Sequence, residues 1–268
     1  MRVKLLGTMG WMPSDRRETT CFACRDGDVL LLFDAGTGLR RLLQPAHAPL
    51  LDGVRVVHLF LTHFHLDHVC GLAYLPGVVP GRELVIHAPS VEVTGVDPLA
   101  AVSGLVRKPY NPRDWTDLDG QSLETIPPPG VELAGHTIRL RLQQHSDPSV
   151  AYRIDDAFAI ATDTPPDPET AVFAAGVGVL LHEAWYNAVD ERTRAVPESL
   201  LPGYQAHSEA GAVARLAASA GVGRLVLMHL NPLYDEDYYA AMVLAARSDF
   251  AATDVLADGE LVDTDARV

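Results

Sequence analysis

Cysteine is scarce in this chain of 268 residues: Cys21, Cys24 and Cys70 are the whole complement. An odd number over that length argues against a disulfide framework. Cys21 and Cys24 have C-x-x-C spacing, but they fall in a strand-like segment, where residues three apart face opposite sides, so packing is their expected role. Long apolar runs are also missing, and no stretch reaches the roughly 18 residues that a membrane-spanning helix needs. The opening Met1-Arg2-Val3-Lys4-Leu5-Leu6-Gly7 enters a strand pattern without the apolar region of a signal peptide, so a cytoplasmic location and no membrane partner are expected. There is no surplus of basic residues. Lys and Arg number 21 against 35 Asp and Glu, a net charge of −14, which argues against a protein whose main task is gripping a large polyanion. Repeats, low-complexity tracts and domain linkers are absent, and a single domain over residues 1–268 is expected.

What is present is ordinary for a globular protein with a substantial core: 48% hydrophobic and 21% charged residues. Strand patterns run over 3–7, 20–24, 28–33, 54–61, 84–87 and 136–143, and a hairpin through Asp155-Asp156 joins 152–154 to 158–161. Further strands are expected at 177–181 and 225–228. Helical patterns cover 39–43, the neighbourhood of 97–102, 208–220 with Ser208 as its cap, and 235–247. The stretch 107–130 is rich in proline and polar residues, and Pro127-Pro128-Pro129-Gly130 reads as a connector. Within it Arg107-Lys108-Pro109-Tyr110-Asn111-Pro112-Arg113 is locally basic and aromatic, either a lid over a phosphate or base or a solvated loop.

One stretch organises the rest. Thr62-His63-Phe64-His65-Leu66-Asp67-His68 follows the apolar run Val54 to Leu61 and sets three imidazoles and a carboxylate within six positions. Imidazole nitrogen and carboxylate oxygen are the donors that divalent ions such as zinc prefer. Four more apolar strands end in a ligand or proton carrier, namely His145, Asp163, His182-Glu183 and His229, and strand ends that share a sheet or facing sheets converge. The expected metal ligands are His63, His65, Asp67, His68, His145, Asp163 and His229, which suit two ions better than one. His63, His65 and His145 would take one ion, Asp67, His68 and His229 the other, and Asp163 would bridge them, with the ions roughly 3.5–4 Å apart. Zinc is expected, with manganese or iron as alternatives. Water shared by two dications is deprotonated near neutral pH and becomes a nucleophile. The other histidines, His47, His58, His87 and His136, read as surface or satisfied core residues.

The THFHLDH stretch, with His145, Asp163 and His229, resembles the metallo-β-lactamase superfamily of two-metal hydrolases. The resemblance implies an α/β fold of the four-layer αββα type. His182-Glu183-Ala184-Trp185 together with Ala206-His207-Ser208 resembles the paired motifs of its ribonuclease Z and cyclic-nucleotide phosphodiesterase branch, as do Leu6-Gly7-Thr8 and Phe33-Asp34-Ala35-Gly36-Thr37-Gly38. It implies that His207 reaches the leaving group, held by Glu183, and that the protein is a homodimer. Catalytic roles are therefore expected for Asp67, His207 and Glu183, and substrate contacts for His207 and Ser146. Expelling an alkoxide from phosphorus needs a proton, and histidine is the usual donor near neutrality.

The expected activity is hydrolysis of a phosphodiester. Branch members that process transfer RNA carry a long arm between the strand bearing the third ligand and that bearing the bridging aspartate. Here His145 and Asp163 are 18 positions apart, which leaves room for a hairpin only. That spacing and the acidic total favour a small diester such as a cyclic nucleotide, with transfer RNA 3′ processing as the alternative. A lactonase or thioesterase would leave His207 and Glu183 without a task, and a non-catalytic binding protein would be expected to have lost ligands.

Overall fold

A computed structural model describes residues 1–265. The described chain forms two compact units, one of residues 1–127 with 257–263 and the other of residues 128–256 with Thr264 and Asp265. The change of unit at 127/128 falls inside the triple-proline connector. Strands are numbered in chain order.

The first unit holds a sheet of seven strands in the order β14-β1-β2-β3-β4-β5-β6. These are β1 (Arg2–Gly7), β2 (Cys21–Asp26), β3 (Val29–Phe33), β4 (Val56–Phe60), β5 (Glu83–Pro89), β6 (Gln121–Ile126) and β14 (Leu261–Asp263). Neighbours from β3 to β6 are parallel, whereas β14, β1, β2 and β3 pair antiparallel. Side chains alternate between the faces. Leu30, Leu32, Val57, Leu59, Leu84 and Ile86 join one buried cluster with Leu39, Leu42, Leu72, Leu75 and Val102 from the helical segments. Cys21 belongs to that cluster and Cys24 does not, and all three cysteines are free thiols.

The second unit holds seven strands in the order β13-β12-β11-β10-β9-β8-β7. They are β7 (Gly130–Leu133), β8 (His136–Gln143), β9 (Ser149–Ile154), β10 (Phe158–Ala161), β11 (Val179–Glu183), β12 (Arg224–Met228) and β13 (Thr253–Asp254). Neighbours from β7 to β10 are antiparallel and those from β10 to β13 parallel. Helices Ala210–Ala220 and Glu236–Ala246 accompany the parallel half. The two sheets with their helices bear out the mixed α/β class.

Two local expectations need correction. Ser208 does not cap the helix. Glu209 does, its carboxylate accepting from the amides of Gly211 and Ala212, while Ser208 Oγ donates to the carbonyl of Thr164 at 2.7 Å. Strand β6 lies in the proline-rich and polar stretch 107–130, where no strand was expected. Its pattern is largely exposed, with Ile126 its one fully buried residue, so it lacks the apolar run that marks a strand in sequence.

Away from the apolar cluster, His58 Nδ1 and His87 Nε2 lie 2.9 Å apart on neighbouring strands, and His87 stacks on Phe60. Burial, helped by the charge of His58, pushes His87 down to about 4, and burial lowers His58 against the opposing pull of Glu83 and Glu124. The folded chain thus refuses protons that the unfolded chain accepts, so stability falls as pH drops from the ordinary imidazole value towards 4. The loss from His87 should approach about 3 kcal/mol. Urea midpoints measured from pH 7 to pH 4 should fall less steeply for His87→Phe than for the native chain.

Candidate metal centre and its acid–base couple

Strands β3 and β4 are parallel neighbours inside the first sheet, and the carboxyl ends of such strands are where open α/β sheets bind ligands. Asp34 stands directly after β3 with φ of 56°, a conformation a non-glycine residue adopts at a cost. Its carboxylate is buried and accepts three kinds of bond. Thr62 donates its amide at 2.8 Å and its hydroxyl at 2.9 and 3.1 Å, and His68 donates Nδ1–H at 2.7 Å. A carboxylate oxygen only accepts, so His68 when neutral carries its proton on Nδ1 and presents the lone pair of Nε2. That nitrogen lies 3.4 Å from Asp67 Oδ2. Thr62 Oγ1 is also 3.0 Å from His63 Nδ1. The rings of His63 and His65 have centroids 4.5 Å apart, and those of His63 and His68 4.3 Å. Asp67 is held from the other side by the amide of Trp11 at 2.7 Å.

Glycine makes this seat possible. The turn after β3 lies against the histidine segment through the bond from Ala35 N to His68 O, 2.7 Å, and that from Gly71 N to Ala35 O, 2.7 Å. A methyl group on Gly36 would fall on the carbonyl oxygen of Asp67, and one on Gly71 on that of Gly36. Any side chain at either position would force the turn away from the ligands.

In the second unit the ends of β8, β10, β11 and β12 bring a second set together. Asp163 and His229 both take left-handed backbone, with φ of 53° and 51°. Asp163 Oδ1 lies 3.4 Å from His145 Nε2, and its Oδ2 lies 3.2 Å from His229 Nε2. Thr162 Oγ1 donates to Asp163 Oδ2 at 2.5 Å. Ligand atoms of Asp163, His207 and His229 all fall within 4.8 Å of one another. Imidazole nitrogens turned towards a carboxylate are the donor set of a divalent-ion site, and the far nitrogen of His145 lies 3.4 Å from the carbonyl of Ala206.

Glu183 closes β11 and is fully buried. One oxygen accepts from the amide of Thr164, the other from His207 Nδ1 at 2.8 Å and the amide of Ser208 at 3.4 Å. The bond fixes His207 with its proton on Nδ1 when neutral and on both nitrogens when charged, so Nε2 is the reactive atom. Trp185 stacks on the His207 ring with centroids 4.3 Å apart and planes 15° from parallel. Strand alternation sends His182 the other way. It is fully buried, its Nδ1 donates to the backbone carbonyl of Glu183 at 2.9 Å, and burial lowers its pKa.

Ser146 is exposed beside His145. In the basic stretch, Tyr110 is exposed while Asn111 is buried. Sequence reasoning missed the parts played by Asp34, Trp185 and Trp11. Asp34 was visible only as part of a turn motif, and no pattern marks a backbone amide or a stacking ring in advance.

Replacing Asp34 by Ala removes the acceptor that aims both Thr62 and His68. Metal affinity, measured by competition with a chromogenic chelator, should fall about 10–100-fold. Far-ultraviolet circular dichroism should remain that of the folded chain.

Residues 30–230 match the family described as the β-lactamase superfamily domain. Ribonuclease Z of Methanosarcina acetivorans is 24% identical over 300 residues, covering 88% of this chain and 90% of its own. Ribonuclease Z of Methanopyrus kandleri is 26% identical over 288 residues, covering 97% and 96%. Among solved structures, the metallo-β-lactamase fold protein YhfI of Bacillus subtilis is similar with a TM-score of 0.73 at 19% identity, covering 98% of each chain. That likeness shows the fold, and the matched span from β3 past His229 holds both sets of side chains. The chain belongs to the β-lactamase superfamily and has the metallo-β-lactamase fold.

Proposed function

We propose that the protein is a metal-dependent phosphodiesterase that cleaves RNA in the manner its ribonuclease Z relatives' name describes. The observation that carries the reading is the buried couple of Glu183 and His207 beside Asp163 and His229. A thiolate leaves without help, so thioester hydrolysis would not need this proton donor. Expulsion of a ribose oxygen from phosphorus leaves a strongly basic alkoxide, and a carboxylate-held histidine supplies its proton.

His63, His65, Asp67, His68, His145, Asp163 and His229 would hold two divalent ions, with zinc favoured by this nitrogen and oxygen donor set. When bound, such ions supply a water acidified to near neutrality and positive charge for the phosphoryl oxygens. The remaining work falls to the chain. Asp67, fixed by the Trp11 amide, orients the attacking water by accepting its hydrogen bond. His207 gives the proton on Nε2 to the departing oxygen, and Glu183 balances the charge on its ring before transfer. The amides of Thr164 and Ser208 keep that carboxylate in place, and Trp185 limits rotation of the ring. Ser146 would meet the substrate at the exposed rim. Homodimerisation and a cytoplasmic setting belong to the same reading.

A second reading has an observation of its own. Strands β9 and β10 fill the interval between His145 and Asp163, so no arm is inserted there. A small diester such as a cyclic nucleotide needs no arm, and the net charge of −14 suits it better than a long polyanion.

Metal-replete protein should cut a precursor transfer RNA at its 3′ side and turn over cyclic mononucleotides far more slowly. The reverse order of rates would establish the small-diester reading instead. His207→Ala should lower kcat on RNA by about 10²–10⁴-fold with metal content unchanged. The same variant should lose much less on bis(p-nitrophenyl) phosphate, whose leaving group needs no proton. Equal losses on both substrates would remove His207 from the role of acid.

A further inference from the structure

At the end of the first sheet opposite Asp34 and Thr62, a pocket of about 430 Å³ is lined by Arg2, Lys4, Arg25, His47, Leu50 and Leu261 among others. The pairing of β1 with β2 creates it. Val3 stands opposite Cys24 and Lys4 opposite Ala23, so the start of β1 and the end of β2 bring three cations to one place. Like charges gathered this way repel one another, and a sheet normally sets opposite charges there. No carboxylate lines the pocket. Asp26 follows Arg25 in the chain, and Asp263 stands across from Arg2 on β14. Among the described residues, Arg2, Lys4 and Arg25 form no ion pair. Arg25 is nonetheless held in position, donating Nε–H to the carbonyl of Gly27 at 3.0 Å and a terminal N–H to that of Pro49 at 2.9 Å.

His47 supplies an independent observation. It is 8% exposed, and its Nδ1 is buried without a hydrogen-bond partner. Buried polar nitrogens are nearly always satisfied by protein, water or ligand. An unsatisfied one on the wall of a cationic pocket points to a missing acceptor or donor. The ring is also confined, since its Cε1 lies 3.1 Å from where a β-carbon on Gly259 would stand.

We propose that this pocket binds a phosphomonoester. Its phosphoryl oxygens would lie among Arg2, Lys4 and Arg25 and within reach of His47, and its small organic body against Leu50 and Leu261. Three cations match a dianion better than a carboxylate, and the volume suits a ligand of nucleotide size. The site is separate from the metal-ligand residues and does not depend on the reaction they perform. In the free protein, burial and the charges of Lys4 and Arg41 lower the His47 pKa. A bound dianion opposes those charges, so His47 becomes a reporter.

The test is a nuclear magnetic resonance titration of the histidine Cε1–H signals of the full chain with adenosine 5′-monophosphate at constant ionic strength. His47→Gln identifies the signal. The nucleotide should saturate a shift of the His47 signal and raise its titration midpoint by about one pH unit. Arg2→Ala combined with Lys4→Ala should weaken that binding by about tenfold or more, with the thermal unfolding midpoint of the free protein unchanged. Lys4→Gln alone provides a milder variant with the same expected direction. The proposal is overturned if the His47 signal ignores the nucleotide, if sodium chloride at equal ionic strength moves it as far, or if the variants bind as tightly as the native chain. Tighter binding of a 5′-phosphorylated oligoribonucleotide than of the mononucleotide would overturn the assignment to a small ligand.

Discussion

A single buried carboxylate sets the geometry of the first group of ligands. Asp34 ends β3, yet its partners lie on the segment after β4, so the bonds to Thr62 and His68 clamp two strand ends together. Without that clamp the histidine segment would be a loop with many conformations, and its imidazoles would meet only at an entropic cost. With it, His68 has one tautomer and one orientation. Glu183 plays the matching part in the second unit, where it holds His207 and the amides of Thr164 and Ser208. Each unit therefore has one acidic residue buried for the sake of imidazole, and neither carboxylate belongs to the proposed ligand set.

This division of labour explains what was legible in the sequence. The ligands could be read because metal chemistry demands unusual residues in close succession, and three histidines with an aspartate in six positions are hard to produce by core packing. Strands such as β3, β4 and β12 were visible for a related reason. Strand β3 and the body of β12 are buried on both faces and appear as continuous apolar runs, and β4 is broken only by the half-buried His58. Strand β6 is mostly exposed and carries no such mark. The two-residue β13 is shorter than any pattern can register. Its existence depends on β12 already being in place.

The supporting groups were harder to read because their roles depend on geometry alone. Asp34 looks like any turn aspartate until the strand register brings Thr62 to it. Trp185 reads as a core aromatic until it is seen lying on His207. His47 is the opposite case, an expected bland histidine that the structure leaves buried with an unsatisfied nitrogen. Net charge was a blunt guide as well. A total of −14 conceals a pocket whose charged lining is wholly cationic.

The left-handed backbone at Asp34, Asp163 and His229 has a consequence for how such a chain can change. Glycine would relax each of these positions, each costing on the order of 1 kcal/mol in strain, yet it would delete the side chain that the site uses. At Asp34 the bonds to Thr62 and His68 outweigh that strain, so stability and chemistry agree there, whereas at Asp163 and His229 they pull in opposite directions. A library of this protein selected only for resistance to heat would enrich glycine at those two positions and emerge sturdier and inert. One selected for turnover would keep the strain and gather its compensating changes in the sheets behind it.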